Sequence, residues 1–359
     1  MTRATRYASL PAWTARLLLA LVVLLMSCGT LSPTWKSLAT MPHDKQSGRP
    51  SGESDAELYG RILSRYDAGE PYYAIVSDEL RRGNYPLRPP FNFRLPTLVY
   101  LLSALPGDSI SLGVLRSLAL IAGLSLFLAL RPHCPGPACM AAGGILLTTG
   151  LLPAVVDGAV LFHEVWASLA IALSLALYRR DRWVLSAGIG LVAVLLRELA
   201  LLYLVIMAAL AWREGQRKES FGWLAIIALC AITLLVHLHI ATRYALPTDP
   251  MSPTWIRVGG WSFVLVTAQW NQAIFPGWLV GFTMPLALLG LGGLNSQIGT
   301  RVAATVAAYV AAFMFFGRPD NTYWGLIYTP LLPVGLLFAS RALADLWGAA
   351  RLRAAPGSP

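Results

Sequence analysis

Apolar runs long enough to cross a lipid bilayer recur along almost the whole chain, and they limit what it can fold into. A membrane-spanning helix needs about 20 apolar residues to cross roughly 30 Å of hydrocarbon. Of the 359 residues, 56% are hydrophobic and only 13% are charged, whereas soluble domains carry about 25% charged residues. The sequence therefore predicts an all-α polytopic membrane protein.

We predict about ten transmembrane helices. They cover 13–31, 110–130, 138–156, 160–178, 183–196, 199–212, 222–240, 275–294, 302–316 and 323–342. The fifth and sixth are short, and a single long helix over 183–212 is the alternative. Two helices are favoured because they place the strongly basic loops on one side, which is the cytoplasmic side under the positive-inside rule.

The same basic loops account for the net charge of +10. We therefore expect membrane lipid as a partner and no nucleic acid. No soluble-looking segment is long enough to form its own core, so residues 1–348 are predicted to form one integrated transmembrane domain. Residues 349–359 are predicted to be a disordered cytoplasmic tail, and the N-terminus is expected in the cytoplasm as well.

A polar segment over 32–109 separates the first two predicted spans and is expected to be a long extracytoplasmic loop. Apolar residues recur at helical spacing over 54–83, with a break at Gly69 and Pro71, which predicts juxtamembrane helices. Residues 95–105 are apolar but too short to span, so they are expected to lie at the interface or to re-enter. An enzyme that acts on a lipid-borne substrate needs such a segment.

Carboxylates in this loop are candidates for a catalytic base, because a carboxylate at the mouth of a bundle can deprotonate a hydroxyl or amine acceptor. The candidates are Asp55, Asp67 and Glu70. The alternative is a solvated amphipathic helix that lies on the membrane.

Two charged pairs interrupt apolar runs, at His163-Glu164 and at Arg197-Glu198. A charge at membrane depth costs roughly 2.5 to 3.5 kcal/mol, so these side chains should face a cavity or a partner. Alternatively, Arg197 pairs with Glu164 or Glu198 purely to hold the helices together. The pairing of Arg197 with Glu198 is disfavoured, because neighbouring residues on a helix point about 100° apart.

A polar turn over 317–324 adds Arg318 and Tyr323 to the candidates. A guanidinium matches the oxygens of a phosphate, so Arg318 is a candidate phosphate ligand. Alternatively, Arg318 pairs with Asp320, and Tyr323 belongs to an aromatic belt at the interface. No zinc pattern is present, since the spacing of Cys134 and Cys139 suits no standard site.

The order of these features resembles the GT-C superfamily of polytopic glycosyltransferases. Two stretches carry the resemblance, namely YAIVSDELRRGNYP over 73–86 and LPTLVYLL over 95–102. Glu164 resembles the family's second outer acid, Arg197 the position of a lipid-phosphate contact, and Tyr323 the start of a late aromatic and proline motif. The family's Asp-Glu pair stands where this chain has Gly69-Glu70.

The resemblance implies a polyprenyl-phosphate sugar donor, held in an outward cavity of a bacterial cytoplasmic (inner) membrane protein. Asp55, Asp67, Glu70 and Glu164 would supply the catalytic acids, and Arg197, Glu198, His163, Arg318 and Tyr323 would bind substrate. A divalent cation is the one cofactor that the resemblance leaves open, and the oligomeric state is open too. The competing hypotheses are a flippase for a lipid-linked saccharide and a non-catalytic membrane assembly protein.

Overall fold

The computed structural model describes residues 5–31 and 55–351, apart from Asp157, Trp255 and the side chain of Pro319. Residues 32–54 of the predicted loop and 352–359 of the predicted tail lie outside this range. The described chain forms no strand. Its α-helices are α1 (Ala12–Leu31), α2 (Asp55–Asp67), α3 (Tyr72–Arg82), α4 (Thr97–Ser103), α5 (Asp108–Leu130), α6 (Pro137–Gly150), α7 (His163–Leu177), α8 (Trp183–Leu196), α9 (Leu201–Arg213), α10 (Arg217–Thr242), α11 (Gly260–Ala268), α12 (Val280–Gly293), α13 (Gln297–Phe315) and α14 (Leu332–Arg351).

Six helical stretches of the described chain are long and apolar enough to cross a membrane, as a polytopic membrane protein requires. They are Ala12–Leu31, Asp108–His133, Pro137–Ala154, Arg217–Thr242, Gln297–Phe315 and Thr329–Arg351. Helices α7, α8 and α12 are apolar but shorter. A helix of 15 residues rises only about 22 Å, less than the roughly 30 Å of a hydrocarbon core. The total of ten spans stays a prediction.

The chain turns back between α8 and α9, so residues 183–212 do not form a single helix. Arg197 has extended backbone angles, φ −153° and ψ 114°, and a short 3-10 turn over Glu198–Ala200 follows it. Arg180, which precedes α8, donates a hydrogen bond of 2.9 Å to Glu214, which follows α9. The start of α8 and the end of α9 therefore lie together, and Arg197 lies at the opposite end of both helices.

Basic loops gather at one end of the molecule, which we call the basic end. Arg301 is fully buried there and donates hydrogen bonds of 2.9 and 3.0 Å to Glu214. Arg301 also donates to the hydroxyl of Tyr178 at 2.7 Å, and that hydroxyl donates to Glu219 at 2.8 Å. These contacts bring the loops before α8, before α10 and at the start of α13 to one place.

Both described chain ends lie near this basic end. The backbone amide of Thr5 donates to Asp345 at 2.8 Å, and Arg16 donates to the carbonyl of Ala350 at 3.0 Å. The final helix continues to Arg351, so the tail that the sequence predicted from residue 349 begins with a helical turn. This grouping agrees with the charge pattern, while the side that faces the cytoplasm stays a prediction.

At the opposite end, α2, α3 and α4 pack with the C-terminal part of α10 around a small core of their own. Leu58, Ile62, Ile75, Leu80 and Ala241 are buried in it. Gly69 separates α2 from α3, and its φ of +92° suits glycine because the residue has no Cβ to clash with the backbone. The periodicity of 54–83 thus corresponds to two helices that cover one end of the bundle.

Candidate polar cavity

A cavity of about 200 Å³ lies between this helical cover and the bundle, and we call it the polar cavity. Tyrosine, arginine and carboxylate side chains supply much of its wall. Its polar lining residues include Asp55, Tyr59, Tyr72, Tyr85, Arg94, His163, Arg318, Asp320, Asn321 and Tyr323. Four of the nine predicted site residues line it, namely Asp55, His163, Arg318 and Tyr323. The fold brings them together from three separate parts of the sequence.

Asp55 lies in the first turn of α2, close to the partial positive charge of the helix N-terminus. The hydroxyl of Tyr85 donates a hydrogen bond of 2.9 Å to Asp55 Oδ1. The side chain is only partly buried, so a ligand in the cavity can reach it. Of the predicted catalytic acids, Asp55 is the one on the cavity wall.

Arg94 is central to the cavity, and the sequence interpretation did not select it. It donates hydrogen bonds to Glu198 at 2.9 Å, to the hydroxyl of Tyr59 at 3.3 Å and to the hydroxyl of Tyr323 at 3.4 Å. Its carbonyl accepts a 2.7 Å hydrogen bond from Tyr72. Burial raises the pKa of both Tyr59 and Tyr72, which keeps these phenols neutral. The available signal was a cation between Phe93 and Leu95, in a segment rich in proline and phenylalanine.

Beneath the cavity, Arg197 lies between two carboxylates. Its Nε donates to Glu164 at 2.5 Å, and its Nη1 contacts Glu198, which Arg94 also contacts. The sequence analysis disfavoured a pair between Arg197 and Glu198, and this prediction is wrong. Arg197 has extended backbone angles, so the angle of about 100° between neighbouring residues on a helix does not apply to it. Arg94, Glu164, Arg197 and Glu198, which we call the site cluster, balance one another's charge.

Two buried side chains of the cavity wall lack hydrogen bond partners among the described residues. His163 is 2% exposed and neither ring nitrogen is bonded, while Asn321 is 7% exposed and its amide nitrogen is unpaired. The imidazole of His163 packs edge-on against Tyr59, with ring centroids 4.9 Å apart. An unpaired buried polar group costs about 1 to 3 kcal/mol, so native proteins usually retain one for a reason.

Arg318 and Asp320 form a two-bond pair at the rim of the cavity, with N–O distances of 3.1 and 2.6 Å. Arg318 also donates to the hydroxyl of Ser252 at 3.3 Å. Arg318 therefore forms the pair with Asp320 that the sequence analysis gave as the alternative. Tyr323 is buried under Arg94 instead of lying in a surface belt.

Two predicted catalytic acids lie outside the polar cavity. Asp67 is exposed and, with Asp108, lines a separate cavity of about 470 Å³. Glu70 lies on the surface, where hydrogen bonds from Arg65 lower the pKa of its carboxyl. A paired surface carboxylate of low pKa is a weak base, so the structure gives no support to Glu70 as the proton acceptor.

Comparisons of the chain with protein-family models, with curated proteins and with solved structures found no match in any of the three. Function must therefore be argued from the cavity itself. Among the described residues, no group of three histidine, cysteine, aspartate or glutamate side chains could hold a metal ion, and we assign no metal to the cavity.

The chemistry available in the polar cavity is proton acceptance beside hydrogen bond donation. Asp55 is the accessible carboxylate, whereas Glu164 is enclosed by Arg197 and is 2% exposed. Arg94 and Arg318 both line the cavity and supply guanidinium donors. The cavity is therefore suited to a small polar ligand with hydroxyl groups and one anionic group.

Proposed function

We propose that the protein is a glycosyltransferase that moves a sugar from a polyprenyl-phosphate donor to a lipid or glycan acceptor. The reaction takes place on the outer face of a bacterial cytoplasmic membrane, at the end of the molecule opposite the basic loops. The observation that carries the proposal is the polar cavity, because it places Asp55 with two arginines and with the unpartnered His163 and Asn321.

In this mechanism Asp55 is the general base. It accepts the proton of an acceptor hydroxyl, and the acceptor oxygen forms a bond to the anomeric carbon of the sugar. The bond between that carbon and the phosphate oxygen breaks, and its electron pair leaves with the lipid phosphate. A single displacement of this kind inverts the anomeric centre. His163 and Asn321 supply hydrogen bonds to sugar hydroxyls.

Arg318 stabilises the departing phosphate, because preorganised cations at a developing charge lower the barrier. Its present partner is Asp320, so the phosphate must displace that carboxylate. Arg197 is the other residue that the sequence predicted to contact the phosphate. It is less suitable, since it is 1% exposed and already paired with Glu164 and Glu198. Glu164, Arg197 and Glu198 instead hold Arg94 and the cavity floor in position.

The test uses cells that lack the protein and whose surface glycolipids and glycans are compared by mass spectrometry with those of wild type. The product that disappears identifies the sugar and the acceptor. Wild-type protein should restore it, whereas Asp55→Asn should reduce it at least 100-fold at equal membrane abundance. Asp67→Asn is the matched control, since Asp67 lies outside the polar cavity.

Full restoration by Asp55→Asn would refute the assignment of the base. Asp320→Asn tests the phosphate ligand separately, because it leaves Arg318 without its competing carboxylate and should lower the KM for the donor severalfold. If purified protein in liposomes moves a lipid-linked sugar across the bilayer without forming product, the flippase hypothesis replaces the transferase.

A further inference from the structure

A second cavity, of about 500 Å³, lies beside the polar cavity, and we call it the neutral groove. Leu152, Phe162, Val266, Trp270 and Leu326 are among its lining residues. Among the described residues that line it, none is lysine, arginine, histidine, aspartate or glutamate. The described wall therefore suits an apolar chain with an uncharged polar group.

Two pairs of sequence neighbours lie between the neutral groove and the polar cavity. Phe162 lines the groove and His163 lines the cavity, while Thr322 lines the groove and Tyr323 lines the cavity. The rings of Phe162 and Tyr323 pack together, with centroids 6.4 Å apart. A molecule in the groove is thus separated from the polar cavity by one layer of side chains.

The groove contains a polar group whose orientation is fixed. Asn271 is 2% exposed, and its amide nitrogen donates to the carbonyls of Thr149 at 3.1 Å and Gly150 at 3.2 Å, at the end of α6. Because both partners are acceptors, the amide cannot be flipped. Asn271 Oδ1 must face away from them, and it has no hydrogen bond partner among the described residues.

Gln269 supplies the complementary group. Its Nε2 is buried and also lacks a partner within the described chain, and the residue lines the same groove. Two residues of the groove wall therefore carry a buried polar atom without a partner among the described residues, an acceptor on Asn271 and a donor on Gln269. A hydroxyl group matches these two atoms in kind, because it donates one hydrogen bond and accepts another. A carboxylate or phosphodiester would place a negative charge next to Asn271 Oδ1 without donating to it.

We propose that the neutral groove binds a long-chain lipid with an uncharged hydroxyl group, through Gln269 and Asn271. The aliphatic chain occupies the apolar part of the groove, and the hydroxyl lies at the amide pair near Trp270. The lipid site stands independently of the proposed transfer reaction.

Photolabelling of full-length protein in lipid nanodiscs tests the site. The probe is a hexadecanol that carries a diazirine in its chain, and the comparison is the matching hexadecanoic acid. Saturable labelling of peptides over 152–165 and 266–273 is expected with the alcohol, at least fivefold above the acid. Equal labelling by both probes, or labelling spread along the exposed face of α10, would overturn the proposal.

Two variants separate the hydroxyl contact from the space of the groove. Gln269→Leu removes a donor that has no hydrogen bond partner among the described residues, so it should abolish the preference for alcohol over acid while the protein stays folded. Ala273→Trp, at an exposed position of the wall, should block labelling by both probes. Leu185→Ala, on an exposed part of α8, is the control that should change neither.

Asp55→Asn distinguishes this proposal from the transferase. If the groove is a binding site and Asp55 is the base, this variant loses product and retains selective labelling by the alcohol. Retained labelling together with full product formation would refute the base and leave the lipid site intact.

Discussion

The protein buries an arginine among carboxylates at each end of the molecule, and the two places differ in what surrounds them. Arg197 is 1% exposed, between Glu164 and Glu198, and Arg301 is 0% exposed, beside Glu214. By residue type and burial alone the two ends are nearly equivalent. Both would count as candidate sites under the rule that charges inside a membrane protein are functional by default.

Their surroundings set them apart. The site cluster lies directly under the polar cavity, and His163 on that wall has unbonded nitrogens. None of the three cavities described here includes a residue of the basic-end group around Arg301, where Tyr178 and Glu219 fill the space with hydrogen bonds. An unpaired buried atom does not by itself distinguish the two ends, since Arg301 Nε also lacks a partner among the described residues. A buried ion pair is therefore weak evidence of a site, whereas an ion pair beside an accessible cavity is much stronger evidence.

The largest expected effect on stability belongs to the basic end. Arg301→Met should reduce the free energy of unfolding by about 3 to 5 kcal/mol, because it leaves Glu214 without its main buried partner. Unfolding of purified protein by a denaturing detergent measures this. The double variant with Glu214→Met should recover part of the loss. A change below about 1 kcal/mol in the single variant would contradict a structural role for this pair.

At the site cluster, Glu164→Gln should cost less stability and more function. Glu198 still compensates the charge of Arg197, so we expect a loss of about 1 to 3 kcal/mol from the weakened hydrogen bond. Product formation should fall at least tenfold when expression is adjusted to equal membrane abundance, because Arg94 and the cavity floor move. If activity tracks abundance alone, the two ends of the molecule are functionally alike and the contrast between them fails.

His163→Phe should act in opposite directions on stability and function. Phenylalanine keeps the edge-on packing with Tyr59 and removes two buried nitrogens without partners, so the free energy of unfolding should rise by about 1 kcal/mol. Product formation should fall, as expected for a polar group kept for binding at a cost in stability. The same unfolding assay serves as readout, and destabilisation by more than about 1 kcal/mol would indicate a structural hydrogen bond to His163.

The smallest effect is expected at the ion pair that holds α3 to the loop after α10. Hydrogen bonds from Arg81 lower the pKa of Asp249 below its usual value. A lowered pKa in the folded state adds stability above about pH 4, and this stability is lost as the pH falls through the folded pKa. The Tm of wild type should therefore fall more than that of Asp249→Asn on acidification. We expect the ion pair to contribute about 1 kcal/mol or less to the free energy of unfolding. If the Tm values of the two proteins fall in parallel as the pH is lowered, the pair makes no contribution.

Much of the helical arrangement was predictable because it depends on local properties. Apolar length, periodicity over 54–83 and the signals at Gly69 and Pro71 are read from neighbouring residues, and they correspond to α2 and α3. The break between 183–196 and 199–212 was favoured only by the asymmetric distribution of basic loops. The helix continues to Arg351, beyond the predicted start of the tail, and Ala349 and Ala350 are buried in the core there.

The sequence by itself determined a polytopic helical protein with its basic loops at one end, because bilayer thickness and charge translocation act on composition and order along the chain. Tertiary packing alone decided which polar residues share a cavity. It brought Asp55 to His163 and Tyr323, added Arg94, and left Asp67 and Glu70 elsewhere. The physical reason is that direction on a helix and contact between distant segments depend on packing, and residues such as Arg94 and Asn271 acquire partners only in the folded chain.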